Sequence, residues 1–155
     1  PPPAPKTLRR VLILDGVADP GNMGTILRTA AAAGIDIVLL APGSTDAYNP
    51  KALRAGMGAH FRIPVIDASW AQIGQVVAGL EVRLADMDGG PAYDRVDWAQ
   101  PWALIVGSEA HGASEQAAQL AAMRIVIPMA ARTESLNAAV ACGIILFEAA
   151  RQRRK

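Results

Sequence analysis

Three short stretches of the sequence bring together residue types that could do chemistry, each where an apolar run gives way to glycine, amide and hydroxyl side chains. The first, DPGNMGTILRTA, occupies residues 19–30 and follows the apolar run VLIL. Asn22 is placed here as the cap of the helix that follows, its side chain accepting backbone N–H groups otherwise left unpaired. Gly21 and Gly24 permit a close backbone approach or a positive φ. Arg28 falls in the second helical turn, and helical side chains lean toward the N-terminus, so its guanidinium can reach back to the turn. Such a corner would receive a phosphate with helix N–H groups and an arginine together. The same residues also make an ordinary capped helix with a surface arginine, and this stretch alone does not separate the two readings.

The second stretch, IVGSEAHG at residues 105–112, runs a strand into Gly107, Glu109 and Gly112. The glycines let something flat or bulky approach the backbone, and the glutamate could hold an arginine or accept from a ligand. His111 and His60 are read as loop residues rather than as bases. The third stretch, IPMAARTESLNAAVACGIILFEA at residues 127–149, ends a strand near Pro128 and Met129 and opens the last helix. Ser135 or Thr133 could cap that helix, with Asn137 just inside it.

Other chemistries lose ground by what is missing. No spacing of metal ligands appears, no Gly-x-x-x-x-Gly-Lys phosphate loop, and no Gly-x-Gly-x-x-Gly fingerprint after the first strand. The single cysteine, Cys142, excludes an internal disulfide and a cysteine zinc cluster, and its apolar surroundings make it a small core residue. A reducing compartment, the cytoplasm, fits this usage.

The elements that must position these stretches follow from the hydrophobic pattern. Apolar, strand-like runs at 11–17, 36–41, 61–66, 81–87, 102–108 and 124–129 alternate with helical patterns near 22–33, 50–58, 69–80, 114–122 and 135–152. Near-continuous apolar strands alternating with helices predict an α/β chain with a parallel, Rossmann-like sheet covered on both faces. In such sheets ligands bind at the carboxyl ends of the strands, where all three stretches lie. The last helix carries no charge from Leu136 to Phe147, which predicts burial on more than one side, within the domain or against a second subunit. A length of 155 residues, 52% of them hydrophobic, gives one domain with a sizeable core. The net charge of +1 argues against binding nucleic acid by overall charge and leaves room for a local basic patch. No run approaches the roughly 20 apolar residues of a membrane span. The proline-rich opening, residues 1–9, is read as a linker from a further domain, with residues 10–155 as the folded domain.

Taken in order, DGVADPGNMGTILRTA, IVGSEAHG and IPMAARTESLNAAVACGIILFE resemble the three signature motifs of the SpoU/TrmH family of RNA ribose 2′-O-methyltransferases, and the likeness spans Arg10 to Glu148. The resemblance implies a C-terminal trefoil knot, homodimers packed through the knot region and the last helix, and S-adenosylmethionine as the methyl donor. By motif position it assigns cofactor binding to Gly107, Ser108, Ile127, Met129, Ser135 and Leu136. It assigns catalysis to Arg28, Asn22, Glu109, Ser135 and Asn137, with Asn22 and Glu109 orienting Arg28 and the substrate. The substrate it implies is structured RNA, ribosomal in preference to transfer RNA. A non-catalytic RNA- or cofactor-binding module on the same fold, and a knotted enzyme acting on a base nitrogen, are the rival readings. Both are opposed by the presence of the polar residues at the three corners.

Overall fold

A computed structural model describes residues 7–108, 110–130 and 135–154. Six strands form one parallel sheet: β1 (Arg10–Asp15), β2 (Ile37–Leu40), β3 (Val65–Asp67), β4 (Glu81–Asp86), β5 (Trp102–Gly107) and β6 (Met123–Val126). Their order across the sheet is β3-β2-β1-β5-β4-β6. Between and after them come α1 (Pro20–Ala33), α2 (Pro50–Gly56), α3 (Trp70–Val76), α4 (Glu115–Leu120) and α5 (Ala138–Arg153). The alternation expected from the sequence is therefore present, and every strand pairing is parallel.

The period of two along each strand divides the core between the two faces. Leu12, Leu14, Val38, Leu40, Leu104 and Val106 pack with Met23, Ile26 and Leu27 of α1 and with Cys142, Ile145 and Leu146 of α5. On the other face Val11, Ile13, Leu39, Ala103 and Ile105 pack with Ile73 of α3 and Ala117 of α4. β1 is enclosed on both faces and both edges, so its middle residues are all apolar and buried. Burial lifts the Cys142 thiol to about 12, which leaves it the small core residue expected and no nucleophile.

Three local expectations need correction. The third strand begins at Val65 and not at 61, because Gly58, with φ 87°, opens a 3-10 turn, Ala59–Phe61, and Pro64 has no N–H to pair. His60 sits inside that turn and is buried, its Nε2 2.6 Å from the Ala47 carbonyl, so it is a structural residue of the interior rather than of a solvent-facing loop. The caps of the two main helices also move. Asp19, not Asn22, caps α1, its carboxylate accepting the Asn22 N–H at 2.9 Å with Pro20 in the first turn. That N–H holds the Asp19 carboxyl below its ordinary value. Asn137, not Ser135, caps α5, its Oδ1 accepting from Ala139 and Val140; Thr133 lies outside the described residues.

Gly24 serves a close approach, but to protein. A Cβ there would lie 2.3 Å from the Ala52 carbonyl oxygen, so α1 and α2 touch backbone to backbone. Neither Gly21 nor Gly24 has a positive φ; the turn after β1 is made by Gly16 at φ 81°.

Candidate active site

The carboxyl ends of β5, β4 and the edge strand β6 border a cavity of about 610 Å³. Each of its walls follows from local sequence. β5 ends in Gly107, where a Cβ would stand 2.8 Å from the Gly112 carbonyl, so only glycine lets the 108–112 turn fold back over the strand. Ser108 closes that turn: its carbonyl accepts from Gly112 at 2.8 Å and its Oγ from Ala110 and His111 at 3.1 and 3.3 Å. Ile127 and Met129 follow the end of β6, and Ser135 and Leu136 precede α5. Ala138, Ala141 and Ile145 of α5 add an apolar wall. All six residues assigned to the cofactor by motif position, Gly107, Ser108, Ile127, Met129, Ser135 and Leu136, line this one cavity.

Hydrogen bonds tie the first stretch to the other two. Asn137 Nδ2 donates to Asn22 Oδ1 at 3.1 Å, while Asn137 Oδ1 caps α5, so a single amide joins the first turns of α1 and α5. At the end of β1 the buried Asp15 carboxylate accepts the Ser114 N–H at 2.7 Å, linking the first corner to the loop after β5. Arg28 is exposed in the third turn of α1, not the second, because the helix starts at Pro20, and it is not part of the cavity lining. Among the described residues it makes no ion pair and no hydrogen bond to Asn22. Glu109 lies outside the described residues. His111 is exposed, as expected of a loop residue.

Sequence reasoning missed the wall supplied by the end of β4, namely Asp86, Met87 and Asp88. The signal was the run ADMDGG: two acids and a glycine pair at a strand end with no cap or turn that needs both acids. Asp86 accepts the Met87 N–H at 2.7 Å and pairs with Arg124 at 3.3 Å. Gly90 must be glycine, because a Cβ would fall 1.9 Å from the Arg124 carbonyl oxygen. Among the described residues no group of three or more His, Cys, Asp or Glu could hold a metal ion.

The model of the SpoU rRNA Methylase family matches residues 9–147. The chain belongs to this family. SpoU relatives similar to it include the 23S rRNA (guanosine(2553)-2′-O)-methyltransferase RlmP of Bacillus subtilis, 38% identical over 91% of this chain and 58% of that protein. Mitochondrial rRNA methyltransferase 3 of Mus musculus is 36% identical over 98% of this chain and 49% of its own length. Among solved structures, an AdoMet-bound rRNA methyltransferase from Sinorhizobium meliloti superimposes with a TM-score of 0.87 at 37% identity, over 95% of this chain and 57% of that one. The SpoU methyltransferase AviRb from Streptomyces viridochromogenes, in complex with AdoMet, gives 0.89 at 32% identity, over 98% of this chain and 63% of that one. The chain thus spans about half to three fifths of the length of these SpoU relatives.

Proposed function

We propose that this chain is an S-adenosylmethionine-dependent methyltransferase acting on a ribose 2′-hydroxyl of ribosomal RNA. The observation that carries the reading is convergence: six residues assigned from the second and third motifs line one cavity, and the first motif's corner is bonded to it through Asn22 and Asn137. The lining suits the cofactor. Ile127, Leu136 and Ile145 offer an apolar wall for a purine, the 107–112 turn offers backbone groups, and Asp88 and Asp86 offer carboxylates to hydroxyl or cationic groups. When bound, the cofactor supplies an electrophilic methyl group on a sulfonium that leaves readily.

The demands left to the protein are to place the 2′-hydroxyl in line with that methyl group and to let its proton go. The C–O bond forms as the C–S bond breaks, and the proton passes to solvent. Arg28 is assigned to hold the target's phosphate and to raise the local positive potential that favours the alkoxide. A guanidinium keeps its proton in proteins, so it is no base here. Asn22 and Asn137 hold the corner of α1 against α5, Ser135 shapes the loop before α5, and Glu109 is assigned to orienting Arg28 and the substrate.

The finer features of the family belong to the same proposal. Threading of the C-terminal segment through a knot is supported by the connection between β4 and β5. Its Trp98 N–H donates to Gln152 Oε1 at 2.8 Å and its Val96 carbonyl accepts from Gln152 Nε2, so this connection lies along α5. A homodimer through α5 is supported by Val140 and Phe147, 50% and 46% exposed on a helix that carries no charge there. Ribosomal RNA is favoured over transfer RNA by the names of the relatives above. Residues 1–9 are assigned as linker and 10–155 as the methyltransferase domain; the family match covers 9–147. Among the described residues no helix is long and apolar enough to cross a membrane, and the cytoplasm is the proposed location.

Calorimetric titration with S-adenosylmethionine, followed by transfer of labelled methyl groups to ribosomal RNA, tests the reading. Arg28→Ala should abolish transfer and leave cofactor affinity within about twofold, since Arg28 lies off the cavity. Unchanged turnover would remove Arg28 from the mechanism. Cofactor binding with no transfer by the unmodified chain would favour a non-catalytic module.

A further inference from the structure

A second surface, away from the cavity lining, mixes exposed aromatic and cationic side chains. Around α2 and the 3-10 turn after it, Tyr48, Met57 and Phe61 are 53%, 63% and 89% exposed. Lys51, Arg54 and Arg62 are exposed among them, and neither Arg54 nor Arg62 forms an ion pair among the described residues. A phenylalanine so exposed on a chain with this much core is held there by its neighbours. His60, the residue before it, is buried, bonded to the Ala47 carbonyl and stacked at a tilt 5.3 Å from the Tyr48 ring. Gly56 leaves His60 its space: a Cβ there would sit 2.7 Å from the imidazole Cε1. The turn is thus anchored from inside, with Phe61 directed to solvent and Tyr48 against the anchor.

This surface joins the first corner of the candidate site. α2 packs backbone to backbone on α1 at Gly24, and Lys51 Cε lies 3.7 Å from where a Cβ at Gly21 would be. Aromatic faces interleaved with cations are what unpaired nucleic acid requires: bases stack on the rings and phosphates meet the cations. A net charge of only +1 means that any attraction for RNA has to be local. We propose that Tyr48, Lys51, Arg54, Met57, Phe61 and Arg62 form a stacking platform for an unpaired stretch of the substrate RNA, leading toward Asn22. The proposal rests on the methyltransferase reading above and names where its substrate lies.

The test uses the full chain and a short fluorescein-labelled oligouridylate, read by anisotropy, with S-adenosylmethionine affinity measured on the same samples. Phe61→Ala should weaken oligonucleotide binding about tenfold, and Arg54→Ala with Arg62→Ala should reduce the salt slope by about 1.4, with cofactor affinity unchanged. All three side chains are exposed, so folding is not at stake. Wild-type protein that takes up cofactor but binds no oligonucleotide, or variants that bind it as well as wild type, would overturn the platform and leave the methyltransferase reading intact. Loss of a dimer in light scattering on Phe61→Ala would place a second copy of the chain there and overturn it too. Failure of the wild type to bind cofactor would instead count against the reading on which the platform rests.

Discussion

A single amide carries two duties at the candidate site. Asn137 Oδ1 accepts two N–H groups of α5, and its Nδ2 reaches Asn22 across 115 positions of sequence. The duties can be separated. Asn137→Ala loses both and should cost about 1 kcal/mol of stability. Asn137→Asp keeps an acceptor for the cap but has no donor for Asn22, so it should retain most of the stability. Both variants should lose methyl transfer if the bridge sets the position of the α1 corner. Urea denaturation beside a transfer assay checks this, and an Asn137→Asp variant with full activity would reduce the contact to a helix cap. The residue types at this corner were legible in the sequence, since Asn22, Ser135 and Asn137 stand out among apolar neighbours. Their partners were not. A capping assignment rests on local order, and Asp19 before Pro20 is as good a local signal as Asn22. Which asparagine faces which depends on how α5 returns to α1, a long-range fact with no local trace.

At the scale of elements, the pairing of α1 with α2 decides more than either helix does alone. Gly24 sits where the Ala52 carbonyl would collide with any side chain, so Gly24→Ala should push α2 outward and cost about 1–3 kcal/mol. Thermal unfolding of that variant beside an Ala→Gly control on an exposed face checks the direction; an unchanged midpoint would mean that the helices slide apart freely. Strands were the easier part to foresee, because burial on both faces leaves near-continuous apolar runs such as VLIL and ALIV. The error at β3 has a physical origin. FRIPVI has strand composition, but Pro64 withholds a donor and Gly58 turns the chain, so His60 becomes an internal anchor and Phe61 an exposed ring. The wall at Asp86–Asp88 went unassigned for the opposite reason: acids at a strand end look like solvated loop until β6 and the residues after it are placed on the same cavity.

For the molecule as a whole, the two faces of the sheet are unequal. α3 and α4 are short and cover one face, while α1 and α5 are long and cover the other. The outer side of α5 still exposes Val140 and Phe147, and burying such a stripe against a second copy would complete what one chain leaves open. Phe147→Asp should therefore halve the mass seen by sedimentation at micromolar concentration, without loss of far-ultraviolet helical signal. A mass that does not change would locate any dimer contact elsewhere. The uncharged run in α5 led to an expectation of burial on more than one side, but the sequence could not say how much of that cover the chain itself supplies. The core beneath takes Cys142, Ile145 and Leu146, and Val140 and Phe147 stay about half exposed.

The position of β1 also has a meaning in time. Of the strands in this sheet it is the first in chain order and lies near the centre, yet one of its two edges waits for β5, whose Trp102 pairs with Arg10 and whose Gly107 pairs with Asp15. A chain emerging from the ribosome therefore carries VLIL with one edge unsatisfied until β5 has been synthesised. Its most vulnerable moment falls during birth, when that naked strand can pair with a neighbour's, and a factor that shields nascent chains would matter more to its yield than any later stabilisation of the finished fold.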